Sequence, residues 1–163
     1  MDTLRLHASC AVLNDRAVLL RGPSGAGKSD LLLRLLVEAG AGLVADDQVV
    51  LTCEDAGLIA RAPETLRGVL EVRGVGLVRL PPAGPAAVGL LADLTAQPQR
   101  QPDPSVETLL GCRLPRVEID PAAASAVAKL QLALGGMGAT ILPADWHPTA
   151  PTGSGGGDDE DTR

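Results

Sequence analysis

Gly22-Pro23-Ser24-Gly25-Ala26-Gly27-Lys28-Ser29 is the stretch whose reading decides this chain. The eight residues fit G-x-x-x-x-G-K-[ST] at every fixed position. Glycines let a backbone wrap a phosphate with successive N–H groups turned inward. A helix starting at the lysine offers its positive end to the same anion. Lys28 adds a point charge for the β and γ phosphates, and the Ser29 hydroxyl suits Mg²⁺. The plain alternative is a Gly-rich turn. The flanks argue against it: residues 16–21 are an apolar strand pattern, and residues 28–39 are a Leu-dense helix pattern stopped by Gly40.

Upstream, residues 3–13 alternate weakly and end at Asn14-Asp15, a turn signal that predicts a hairpin into residues 16–21. Downstream, the apolar run 42–45 ends at Asp46-Asp47. A carboxylate at the end of a strand beside a phosphate loop can hold Mg²⁺ or take a hydroxyl proton from a phosphoryl acceptor. Alternation along a strand would send the two acids to opposite faces. A solvated acidic turn is the competing account.

Strands are predicted over 48–53, 58–60, 69–73, 77–80, 87–94 and 117–119. Glu71 and Arg73 are two apart and share a strand face, where a surface ion pair is the plain expectation. Residues 97–104 hold three prolines and read as a loop. Asp120-Pro121 predicts a helix N-cap, with the helix running to about Leu134. From 135 the composition turns to Gly, Pro, Ser, Thr and acid, and 153–161 is predicted to be disordered.

The chain has 163 residues, which predicts one domain at 1–134 and an acidic tail at 135–163. Most of the net charge of −6 lies in that tail. Trp146 is the sole aromatic residue, so base-stacking platforms are missing. That and the acidic balance argue against a nucleic-acid partner. No run of 18 apolar residues suggests a membrane span. Cys10, Cys53 and Cys112 show no metal-like spacing. An odd count without a secretion signal predicts reduced thiols and a cytoplasmic location. Cys10 and Cys53 lie in apolar runs and read as small core residues. His7 precedes all of these; a single strand histidine is more often structural than catalytic.

Taken together, four segments resemble HPr kinase/phosphorylase, specifically its C-terminal catalytic domain. They are Leu6-His7-Ala8-Ser9, the loop at 22–29, Leu43-Val44-Ala45-Asp46-Asp47, and Glu71-Val72-Arg73-Gly74-Val75-Gly76. The likeness runs from about residue 3 to about residue 134. It implies a P-loop-containing single α/β domain with a phosphoenolpyruvate-carboxykinase-like mixed sheet. It implies ATP and Mg²⁺ as cofactors and an HPr-like phosphocarrier protein of the phosphotransferase system as partner. Asp46 matches the family's acid/base, His7 an active-site histidine, and Lys28 the loop lysine. Gly22, Pro23, Ser24, Gly25, Ala26, Gly27, Lys28 and Ser29 match the nucleotide loop. Ser29 and Glu71 match magnesium ligands, and Arg100 matches a catalytic arginine.

The expected function is therefore ATP-dependent serine kinase activity in a short form without the family's N-terminal domain. A homo-oligomer is implied, because the family forms hexamers. The family's Pro-x-x-Pro-Gly-Arg-Asn loop is replaced by residues 120–125, which carry no arginine, so reverse phosphorolysis is not expected. Asp30 stands where the family usually has Glu. The competing readings are a small-molecule P-loop kinase and a nucleotide-sensing regulator that transfers no phosphate.

Overall fold

Two short strands open the chain: β1 (Thr3–Leu6) and β2 (Ala8–Leu13), separated by a bend at His7. At Asn14-Asp15 the chain reverses into β3 (Arg16–Arg21). Both turn residues have positive φ, 49° and 67°, as a two-residue hairpin matched to strand twist requires. The phosphate-loop sequence follows, then α1 (Lys28–Ala39). Gly40 ends α1 in the left-handed conformation, φ 66°, and its N–H donates to the Leu35 carbonyl. The computed structural model describes residues 1–148.

The next strands are β4 (Gly42–Ala45), β5 (Val49–Glu54) and β6 (Gly57–Arg61). A separate two-stranded ribbon, β7 (Val69–Val72) and β8 (Gly76–Arg79), comes next. Then come β9 (Ala86–Leu94), β10 (Ser105–Leu109), β11 (Cys112–Ile119) and α2 (Ala126–Ala133). The main sheet runs β1-β5-β6-β9-β3-β2-β4. β9 lies parallel to β3 along one edge. Its other edge is shared: Ala86 and Ala87 pair antiparallel with β6, and the stretch from Leu91 to Leu94 pairs parallel with β11. The sheet is therefore mixed, as expected.

The strand before the phosphate loop is buried on both faces. Val18 and Leu20 pack with Leu31, Leu32 and Leu35 of α1 and with Leu130 of α2. Ala17 and Leu19 turn the other way, against Leu51, Leu58 and Leu91. This is the period-2 pleat acting on a continuous apolar run. Truncating a fully buried leucine such as Leu20 would cost about 3 kcal/mol. The loop thus leaves a strand that has no freedom to shift.

Three expectations change. The helix predicted from Asp120 begins only at Ala126. Asp120 accepts a hydrogen bond from the Ala122 N–H at 2.9 Å and closes a local turn instead. The Arg34 guanidinium takes the Pro121 and Ala123 carbonyls, which a helix would have used. The short strand at 117–119 is the end of an eight-residue strand with its own hairpin partner, β10. Pro115 is tolerated because that part of β11 pairs with β10 alone, before β9 joins at Arg116.

The third correction concerns the thiols. Cys53 and Cys112 are joined by a disulfide across 59 residues of sequence. Cys53 is exposed rather than buried. The β10–β11 hairpin lies over the second core face and carries Cys112 to β5. Cys10 alone is a free thiol, fully buried, and burial pushes its pKa well above the usual thiol range. Residues 136–138 form a single 3-10 turn, and 139–148 carry no strand or helix. The low-complexity stretch 153–161 lies outside the described residues.

Candidate functional site

The loop closes on itself before any side chain acts. The Ala26 N–H donates to the Pro23 carbonyl at 3.0 Å, and Gly27 caps α1 with φ 100°. Lys28 is buried, and its Nζ donates to the Gly22 carbonyl at 2.7 Å and the Pro23 carbonyl at 2.9 Å. The ammonium is thereby held across the mouth of the loop.

Asp46 and Asp47 reach this loop from the end of β4. Asp47 adopts φ 68°, and the Gln48 N–H donates to the Asp46 carbonyl at 2.8 Å. That tight turn sends the two carboxylates apart. Asp46 Oδ1 accepts from Ser29 Oγ at 2.8 Å and from Ser9 Oγ at 2.9 Å. Asp47 Oδ1 lies 2.8 Å from His7 Nε2. The expected divergence of the acid pair is present, produced by a left-handed residue at a turn.

A cavity of about 520 Å³ opens here, within the usual range for small-molecule sites. His7, Gly25, Gly27, Lys28, Ser29 and Glu71 line it, as do Asp47 and Arg73. Glu71, Val72 and Arg73 all line the cavity; Arg73 lies past the end of β7, in the turn, so the strand face expected to join it to Glu71 is not formed. No ion pair forms between them among the described residues. Arg100 is exposed on the loop after β9 and does not line the cavity.

The strand under the loop is pinned from the side. Arg21, one residue before Gly22, donates through Nε and Nη2 to both Asp93 oxygens at 2.6 and 2.9 Å, and also pairs with Glu107. Arg116 donates to the same Asp93 at 2.6 Å. Burial pushes the Asp93 carboxyl up, but the hydrogen bonds from Arg21 and Arg116 outweigh it and hold it below its ordinary value. Its hydrogen bonds to Asp93 and Glu107 push the Arg21 guanidinium further up.

The donor set suits Mg²⁺: the Ser29 hydroxyl and the Asp46 and Glu71 carboxylates are hard oxygen ligands near one loop. No group of three acidic, His or Cys side chains clusters as a metal cage among the described residues.

Residues 2–82 match the family described as HPr Serine kinase C-terminal domain. That segment belongs to this family. The chain is 55% identical over 62 residues to the HPr kinase/phosphorylase of Leptothrix cholodnii, covering 37% of this chain and 19% of the relative. It is 40% identical over 74 residues to that of Clostridium beijerinckii, covering 45% and 24%. It therefore spans about a quarter or less of these relatives' length. The Hpr(Ser) kinase/phosphatase of Coxiella burnetii superposes with a TM-score of 0.70 at 24% identity, covering 80% of this chain and 93% of that one. The HPr kinase fold therefore extends well past the matched sequence segment. No helix among the described residues is long and apolar enough to cross a membrane.

Proposed function

We propose that the chain is an ATP-dependent serine kinase acting on HPr or a related phosphocarrier. One observation carries the reading. The Ser29 hydroxyl, which lines the cavity, donates to the Asp46 carboxylate behind it at 2.8 Å. The two groups that a phosphoryl-transfer site needs next to each other, a metal ligand and an acid, are therefore adjacent.

In this reading the loop amides and Lys28 bind the phosphates and orient the γ group. Bound Mg²⁺, held by Ser29 and Glu71, supplies charge neutralisation. Asp46 accepts the proton of the attacking serine hydroxyl. His7 positions Asp47 at the cavity wall. Most of the rate comes from orientation and fixed electrostatics. Arg100 is given no step. A homo-oligomer and a cytoplasmic location belong to the same proposal; the Cys53–Cys112 bond removes the thiol count as an argument for the latter.

The test is transfer of label from γ-labelled ATP, with Mg²⁺, to an HPr-like phosphocarrier, with the acceptor residue mapped by mass spectrometry. Serine phosphorylation that Asp46→Asn slows by about 100-fold or more, the scale of a lost general base, is expected. Tight ATP binding with no phosphate moved would favour the nucleotide-sensing alternative.

A further inference from the structure

Resting on that kinase reading, we propose that Ser9 is a positioning residue for Asp46. Ser9 lies on β2, in register with Leu20 of β3, and is fully buried. Ala8 and Cys10 on either side pack into the second core face, so the pleat turns Ser9 toward the helix layer. A hydroxyl there is unfavourable unless it is hydrogen-bonded.

Its one side-chain partner is Asp46 Oδ1, at 2.9 Å. That oxygen also accepts from Ser29 at 2.8 Å, whereas Asp46 Oδ2 has no protein donor among the described residues. The two donors differ in kind. Ser29 belongs to the phosphate loop, where its oxygen is the candidate metal ligand. Ser9 belongs to the sheet and cannot move with the loop. Ser9 therefore fixes the rotation of the carboxylate from the interior and leaves Oδ2 free to take a proton. A charge-assisted bond from a buried hydroxyl has the strength to hold that orientation.

Initial rates of transfer to the phosphocarrier test this for wild type, Ser9→Ala, Ser9→Thr, Asp46→Asn and the Ser9→Ala/Asp46→Asn double variant, with thermal unfolding alongside. Ser9→Ala should lower kcat about 10-fold or more, as loss of a group that orients a ligand does. KM for ATP should not change, and Ser9→Thr should recover most of the rate. Against the residual rate of Asp46→Asn, followed at high enzyme concentration, Ser9→Ala should cost nothing further, because its effect passes through that carboxylate. Wild-type kcat in Ser9→Ala, or an equal loss in both backgrounds, overturns the role of Ser9 and leaves the kinase reading standing. If wild type itself transfers no phosphate, the kinase reading fails and this role falls with it. Should Ser9→Ala not fold, Ser9→Cys decides: reduced kcat supports the proposal, and an unchanged kcat overturns it.

Discussion

The Lys28 ammonium lies 2.7 Å from the Gly22 carbonyl oxygen, so the loop's lysine is tied back to its first glycine. A second bond, to the Pro23 carbonyl at 2.9 Å, fixes the charge at the mouth of the loop. A compact ammonium can be satisfied this way by two carbonyls and still present a third donor. A planar guanidinium needs a wider space. Lys28→Ala should weaken ATP binding roughly 10-fold or more, the scale of one lost charged hydrogen bond. Lys28→Arg should not restore it. Calorimetric titration with ATP and Mg²⁺ measures both.

Asp93 should carry stability rather than catalysis. It is bonded to Arg21 and Arg116 and lies beneath the loop. Asp93→Asn should destabilise by about 2 kcal/mol, between the values for exposed and buried pairs. The sign with pH follows from its lowered pKa. Its contribution is present above the ordinary carboxyl value of 3.8 and is lost as pH falls through the folded value. Urea unfolding at neutral pH should separate the two proteins, and the gap should narrow at acid pH.

Much of this arrangement was legible in sequence. The helix at 28–39, its Gly40 stop and the Asn14-Asp15 hairpin each rest on local rules, and each stands where those rules put it. The loop and Glu71 line one cavity, and Asp46 is bonded to the loop's Ser29. What the sequence hid depends on contacts distant in the chain. The helix at Asp120 lost its first turn to Arg34, 87 residues earlier. The strand at 105–109 was missed because its turn, Leu110-Gly111, puts a leucine at φ 49°, which no turn rule favours. Ser9 drew no attention because a lone serine in an apolar strand carries no pattern until Asp46 is placed beside it.

The Cys53–Cys112 bond gives a third prediction. Closing 59 residues should stabilise by about 4 kcal/mol on chain-entropy grounds. Intact protein should therefore show one free thiol, from Cys10, after denaturation without reductant. Cys53→Ser should show two and unfold at lower urea. Three free thiols in the wild-type protein would contradict the pairing.

Gly27 should resist substitution. Its φ is 100°, and a Cβ there would lie 3.3 Å from Pro121. Gly27→Ala should cost about 1–2 kcal/mol from the left-handed backbone alone. It should also weaken ATP binding, since the residue caps the helix whose N-terminus is proposed to meet the phosphates. Thermal unfolding and the same titration report the two effects separately.

A crystal structure with a non-hydrolysable ATP analogue and Mg²⁺ would show where the nucleotide binds and which way Asp46 turns. The terminal phosphates should be wrapped by residues 22–29, with Mg²⁺ on the Ser29 oxygen and the Asp46 carboxylate facing the γ-phosphate side. Nucleotide bound elsewhere, or an Asp46 carboxylate turned away from the γ position, would contradict the kinase reading.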